Sequence, residues 1–485
     1  MSNQADSDSP KPLSWLRSVR HVSLLTLVSR ILGLVRDMGM AALFGNGPLL
    51  DAFTLAFRIP NLMRRLFGEG ALTTAFLPAY ISARKQGPEQ AARLASGVLI
   101  ILFSLLTGLI LLGWCLLALL QASGWLGADG EHLIWMTAWL LPYVLLICLT
   151  AQYCALLHAE NRFVIPALVP VLMNLVWIVA IWQIAPAYAS STGQLKVIII
   201  SILVGGVVQL IVPVISLWKL GFRLQFPARA DFSRSRSVFL VMLPIVWGLS
   251  ITQINALCDG ALAWWFSLEG NGNRVEQGAA SALYFGQRMY QFPLGIFGAA
   301  MGTVLFARLA QHVEAKNWED VIQDVSQGMR LTLLIGIPAS FGMLVLAEPI
   351  ARILLERGKF DHYDTIQTTR MIIAYSVAIW AYLGITVTQR VLFAIQDART
   401  PVRLGMIAVI VNLLLSLPLM FWLGGKGLAI ATSVASIMQF LLLVYALSKR
   451  LQRNLLQNLM SVFLKSSVAT ALMCIGIHFA LKFGR

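Results

Sequence analysis

Charge is what this chain has least of. Only 12% of its 485 residues are Asp, Glu, Lys or Arg and 58% are hydrophobic, against about 25% charged in an ordinary soluble domain. The mean hydropathy of +0.76 excludes a soluble globular protein. Acids are scarcer than bases, 22 against 37. The six histidines are scattered, and the five cysteines (Cys115, Cys148, Cys154, Cys258 and Cys474) lie in apolar stretches without metal-ligand spacing. Neither a zinc site nor a disulfide framework is expected. No GxGxxG, Walker loop, HExxH or Ser-His-Asp arrangement appears, so nucleotide-driven and hydrolytic chemistry have no sequence basis. The polar connections on one side are about 5 to 15 residues long, too short for a catalytic outer domain, and no enzyme is expected.

What the chain has is apolar length. Runs of about 20 apolar residues, enough to cross a bilayer, recur thirteen times between 21–44 and 461–482. The fold class is therefore all-α, a polytopic membrane protein of about 13 transmembrane helices. The net charge of +15 is topological and needs no nucleic acid. Lys11, Arg17, Arg20, Arg84, Lys85, Lys219, Arg223, Arg229, Arg234, Arg236, Lys449, Arg450 and Arg453 fall on one side, which the positive-inside rule makes cytoplasmic together with the N-terminus. The first apolar run carries arginines and no small-residue cleavage site, so no cleaved signal peptide is read.

An internal echo divides the chain. Pro60, Phe67-Gly68 and Phe76 recur as Pro293, Phe297-Gly298 and Phe306, about 230 residues on; Arg162, Pro166 and Asn174 recur as Arg399, Pro401 and Asn412, about 237 on. The pattern gives two pseudo-symmetric six-helix lobes. The expected organisation is a disordered cytoplasmic N-terminus (1–20), a first lobe (21–220), a cytoplasmic linker (221–236), a second lobe (237–448) and an additional helix (449–485). Prolines within or beside the spans, among them Pro60, Pro142, Pro213, Pro293, Pro338 and Pro418, break helix hydrogen bonds and permit bends, although proline is common in membrane helices in any case.

Arginine inside apolar runs is the informative exception. Arg30 and Arg36 lie in the first run, Arg58, Arg64 and Arg65 in the second, and Arg288 in the eighth. An Arg at the centre of a membrane helix costs roughly 2.5 to 3.5 kcal/mol on insertion scales. Arg65 has Glu69 four residues on, and Arg58 follows Asp51 by about two turns, so both read either as structural pairs or as functional cations. Arg30, Arg36, Arg64 and Arg288 have no acid three or four residues away; Asp37 lies about two turns from Arg30. These four are candidates for an anion site, with snorkelling or pairing across helices as the alternative. Gly33 and Gly39 flank Arg36 and permit close approach of backbone or ligand.

The runs Ser29-Arg30-Ile31-Leu32-Gly33-Leu34-Val35-Arg36-Asp37, Asp51-Ala52-Phe53 and Pro60-Asn61-Leu62-Met63-Arg64-Arg65-Leu66-Phe67-Gly68-Glu69-Gly70-Ala71 resemble the MurJ (MviN) family of bacterial lipid II flippases. Asn161-Arg162-Phe163, Arg288 with Phe292-Pro293, Gly358-Lys359-Phe360 and Gln396-Asp397 with Thr400-Pro401 extend the likeness over residues 20 to 450. The resemblance implies the multidrug/oligosaccharidyl-lipid/polysaccharide exporter fold, with two lobes around a central cavity, in a multi-pass protein of the bacterial inner membrane. It implies substrate-binding roles for Arg30, Arg36, Arg64, Arg288 and Asp51, supported by Asp37, Gly33, Asn61, Arg65 and Glu69. Its partners would be lipid II, the surrounding membrane lipids and wall-synthesis proteins. No cofactor is implied, with coupling to sodium or to the membrane potential as the energy source. The corresponding sodium ligands would be Asp259, Asn412, Ser416 and Thr432, oxygen donors suited to a hard cation, with serine where an acid would bind more strongly; Asp259 reads equally as a cavity charge or an arginine partner. Two departures stand out: the family has fourteen helices, the last two forming a lipid-tail groove, where thirteen are counted here, and Gln291 stands where relatives often carry an acid. Another polyprenyl-linked oligosaccharide as cargo, or a scaffold of the wall-synthesis complex, are the alternative functions.

Overall fold

The computed structural model describes residues 12–225, 227, 229–268 and 274–483. Of the N-terminus expected to be disordered (1–20), residues 1–11 lie outside the described residues, as does the side chain of Glu69, whereas residues 12–20 already belong to the first helix. The described residues form fifteen α-helices: α1 (Pro12–Phe44), α2 (Pro48–Met63), α3 (Ala71–Gln86), α4 (Pro88–Ser123), α5 (Gly127–Ala159), α6 (Val164–Val179), α7 (Ser191–Lys219), α8 (Arg229–Ser267), α9 (Ala279–Glu314), α10 (Trp318–Leu355), α11 (His362–Ser376), α12 (Ile379–Ala394), α13 (Arg399–Leu423), α14 (Gly425–Leu451) and α15 (Leu455–Phe483). No β-strand occurs among the described residues.

Each of the thirteen expected spans coincides with helical structure, but three are not single α-helices, the fifth being α6 continued by a π-helical segment Ala180–Ile184 and a 3-10 turn Ala185–Ala187. The second is α2, a π-helical segment Arg64–Gly70, then α3. The tenth is α11 and α12, bent by 45° at their junction. No proline sits at that bend; the Ser376 hydroxyl donates to the Ile372 carbonyl at 2.6 Å, and such i−4 bonding competes with the helix ladder. Among the described residues eight helices are long and apolar enough to span a bilayer, or nine with the bent pair counted as one span. The arginine-bearing α1 and the interrupted second span fall outside that group, as their charges require.

The chain divides into two compact units, Met1–Leu43 with Ala56–Ser250, and Phe44–Leu55 with Ile251–Arg485. The division falls inside α8, past the 221–236 linker, and the start of α2 belongs to the second unit. In the first unit α7 packs against α5 and α6, an approach that depends on missing side chains. A Cβ on Gly205 would lie 2.6 Å from Met173 Sδ, and one on Gly206 2.8 Å from the Tyr143 ring. The linker is fastened to α4, where the Gln225 N–H donates to Ser96 Oγ at 3.0 Å and the Ser235 hydroxyl to the Leu94 carbonyl at 3.2 Å.

In the second unit α13 pairs with α14, and α10 packs on α12 and α15. Val325, Met329, Leu333 and Ile337 of α10 recur at helical spacing and close a core with Leu392, Phe440 and Leu447, as an apolar stripe of period 3.6 requires. Elsewhere large apolar side chains point outward, among them Leu414 at 69% exposure and Trp422 at 85%. Exposed apolar surface of that extent fits contact with lipid.

Candidate functional site

Arg36 is buried in the first unit and held from three directions. Its Nε and Nη2 donate to Asp37 Oδ1 at 3.1 and 2.7 Å, and its Nη1 donates to Asn174 Oδ1 at 3.1 Å. The guanidinium carbon lies 4.4 Å from the Trp177 ring centroid, within cation–π range. Trp177 meets Phe57 edge-on at 5.1 Å, and Phe57 stacks with Tyr143 at 6.3 Å, so an aromatic wall adjoins the cation. The Asn174 amide also donates to the Ser29 carbonyl at 3.0 Å, which locks α6 to α1 beside Arg30. A test of acids three and four residues away misses the Asp37 pairing because it joins sequence neighbours. Asn174 and Trp177, three apart on α6, share one helix face; a polar and an aromatic residue so spaced in an apolar run were the available signal.

Gly39 is where α1 needs its missing side chain, since a Cβ there would stand 2.5 Å from Ile181 Cγ2. Gly33 faces Asn174 Nδ2 at an ordinary 3.8 Å. Arg30 is exposed. Arg64 opens the π segment, and its Nε and Nη2 both donate to Asn61 Oδ1, at 3.2 and 3.0 Å. Arg65 is half-buried on the same segment.

In the second unit Arg288 donates to the Tyr284 hydroxyl at 3.0 Å, with its guanidinium carbon 5.1 Å from that ring's centroid. The partner lies four residues back, where helix spacing would show it had aromatics been considered alongside acids. Asp51 has no exposure. Its Oδ1 accepts from the Ser281 N–H and hydroxyl, both at 2.6 Å, and its Oδ2 from the Gly278 N–H at 2.9 Å. Asp51 therefore caps the positive end of α9, where Arg58 was the expected neighbour. Beside it the Asn46 N–H donates to Asp364 Oδ2 at 2.9 Å, and its amide to Thr368 Oγ1 at 3.0 Å.

Asp259, Asn412, Ser416 and Thr432 converge in the second unit. Ser416 Oγ lies 3.3 Å from Asp259 Oδ1 and 3.2 Å from Asn412 Oδ1. Thr432 Oγ1 donates to Asp259 Oδ2 at 2.8 Å and accepts from Asn412 Nδ2 at 2.9 Å. Asp259, Asn412 and Ser416 are at most 1% exposed. One carboxylate among neutral oxygens matches a hard monovalent cation better than a transition metal. Among the described residues no group of three His, Cys, Asp or Glu side chains could hold a metal ion.

Comparison with known proteins agrees with this architecture. The family model described as lipid II flippase MurJ matches residues 40–484. A probable lipid II flippase MurJ of Vibrio cholerae is 32% identical, the match covering 88% of this chain and 82% of the relative. A solved lipid II flippase MurJ in an inward closed conformation superposes with a TM-score of 0.80 at 25% identity, covering 95% of this chain and 92% of that one. An inward-facing multidrug transporter of the MATE family shares the fold alone, with a TM-score of 0.69 at 15% identity and coverage of 90% and 98%. The chain belongs to the lipid II flippase MurJ family.

Proposed function

We propose that this protein carries lipid II, an undecaprenyl-pyrophosphate-linked disaccharide-pentapeptide, from the inner to the outer leaflet of the bacterial inner membrane by alternating access, without covalent chemistry. The carrying observation is the buried Arg36. Three of its donors go to Asp37 and Asn174, and a guanidinium has five. The two remaining would serve an anion from a pre-oriented cation, and each charge-assisted bond to a phosphate oxygen is worth about 1.5 to 3 kcal/mol. Arg64 donates to Asn61 and Arg288 to Tyr284, contacts that help to orient the two guanidinium groups. Asp51, whose oxygens accept from the start of α9, acts in this reading through that helix.

The N-terminus is cytoplasmic in this reading, because Arg223, Arg234, Arg236, Lys449, Arg450 and Arg453 share its side. An inside-negative potential then favours outward movement of the headgroup by about 2.3 kcal/mol per charge per 100 mV. Sodium at Asp259, Asn412, Ser416 and Thr432 supplies the return step: binding there stabilises one state of the second unit over another only to the extent of its differential affinity.

The test is complementation of cells depleted of their own lipid II flippase, with lipid II at the outer face as the readout. Wild type restores exposure; Arg36→Ala, Arg64→Ala and Arg288→Ala, at matched membrane levels, do not. Equal function of all three variants would make the arginines structural and reopen the substrate assignment.

A further inference from the structure

Gln152 is the anomaly of the first unit. It lies on α5 with no exposure, and neither its amide oxygen nor its amide nitrogen has a hydrogen-bond partner. An amide buried without partners costs about 1–3 kcal/mol in proteins, whereas an apolar side chain of the same shape would cost nothing. Such a group calls for a specific explanation.

Its placement supplies one. Gln152 follows Cys148 by four residues and so shares its helix face. The Cys148 thiol donates to the Met63 carbonyl at 3.6 Å, the residue immediately before the π segment Arg64–Gly70. α5 packs directly on that segment. π-helical turns are rare and occur mostly at functional sites, and this one opens with Arg64.

We propose that Gln152 is a positioning residue for Arg64: its amide takes up the backbone groups that the 64–70 segment releases when it closes from π to α geometry, and so sets the direction in which Arg64 points. Closing the segment removes the extra residue from its wide turn. The Arg64 end then rotates against α3 by about 100° and shifts by about 1.5 Å, the increments of one helical residue. During that exchange a carbonyl and an N–H change partners, and a Gln amide, with one acceptor and two donors, matches both. The amide is costly in the π register and compensated in the other, so the segment has two states of similar energy. The proposal rests on the substrate reading only for the role of Arg64.

The experiment uses the purified full-length chain. Gln152→Met keeps the shape without hydrogen-bonding groups; Gln152→Glu keeps an acceptor and, protonated, a donor. For Gln152→Met the inference expects a Tm higher than wild type by about 2 °C or more, amide hydrogen exchange over residues 64–70 slowed about tenfold, and lipid II flipping in proteoliposomes reduced about tenfold. Gln152→Glu restores both flipping and exchange towards wild type. A merely structural glutamine would lower Tm on removal, so a falling Tm or unchanged exchange overturns the proposal, as does slowed exchange with undiminished flipping. Exchange that behaves as expected in a wild type unable to move lipid II would sink the substrate assignment instead, leaving the two-register segment in place.

Discussion

Removal of the Asp51 carboxylate measures what joins the start of α2 to the rest of the second unit. Its two oxygens accept from the Gly278 and Ser281 N–H groups and the Ser281 hydroxyl, all within 2.9 Å. In Asp51→Ala both backbone donors are left buried, each at about 1–3 kcal/mol, while the Ser281 hydroxyl keeps the Gly278 carbonyl at 2.9 Å. Relief from burying a carboxylate offsets part of the loss, so the net cost is about 2–4 kcal/mol, at or above the upper end of N-cap substitutions because two backbone donors are lost at once. At about 2–4 °C per kcal/mol for a unit of this size, Tm falls by about 4–16 °C. Intrinsic tryptophan fluorescence during heating, in detergent without lipid II, reads this directly. Asp51→Asn retains one acceptor oxygen and falls about half as far. A Tm for Asp51→Ala within about 1 °C of wild type would refute the cap and return Asp51 to the substrate contacts.

Arg36→Ala leaves Asp37 buried without its cation and costs about 3–5 kcal/mol; adding Asp37→Ala recovers at least half of it, and a double-mutant cycle by thermal unfolding shows whether the two act as one unit. Wild type gains Tm with sodium over potassium by mass action, and Asp259→Asn loses that gain; a sodium shift surviving in Asp259→Asn would place the cation elsewhere. Just after α10 the Glu356 carboxylate accepts from the Thr365 hydroxyl of α11 at 2.8 Å, which holds that carboxyl below its ordinary range; desolvation opposes this, and Arg352 and His362 assist it. A carboxyl depressed in the folded state stabilises fully above its unfolded pKa of about 4.3. That stability is lost as pH falls through the folded value, so Glu356→Gln loses less Tm than wild type between neutral pH and about pH 3.

The spans were legible because burial in lipid acts residue by residue and leaves its mark in local composition. What the sequence hid depends on contacts distant along the chain or on geometry without a composition signature. The π turn at Arg64–Gly70 sits in an apolar run that reads as continuous helix, and the Ser376 bend has no proline. The Asp51 cap joins residues 230 apart, so the nearer Arg58 was the natural but wrong neighbour to expect. Arg36 illustrates the converse: its acid was adjacent in sequence, yet helix-face reasoning looks past adjacent residues because their side chains diverge. A long guanidinium folds back across that divergence when Asn174 and Trp177 fix its far side.

Asn174 and Asn412, 238 residues apart in the repeat pattern, organise a carboxylate cluster in each unit, and the clusters differ in where the cation comes from. In the first unit Asn174 holds Arg36 against Asp37, so the positive charge is covalently part of the chain and cannot leave. In the second, Asn412 and two hydroxyls surround Asp259, and a cation taken up there as proposed would be exchangeable. A tethered guanidinium keeps its position whatever the salt concentration outside, which suits a group that must present fixed donors to an anion. Under the proposed function an exchangeable ion there would make the second unit responsive to the sodium gradient. Under the proposed function like scaffolds would support unlike tasks, with recognition in the first unit and energy coupling in the second, and the division would follow from whether an arginine or a hydroxyl stands beside the acid.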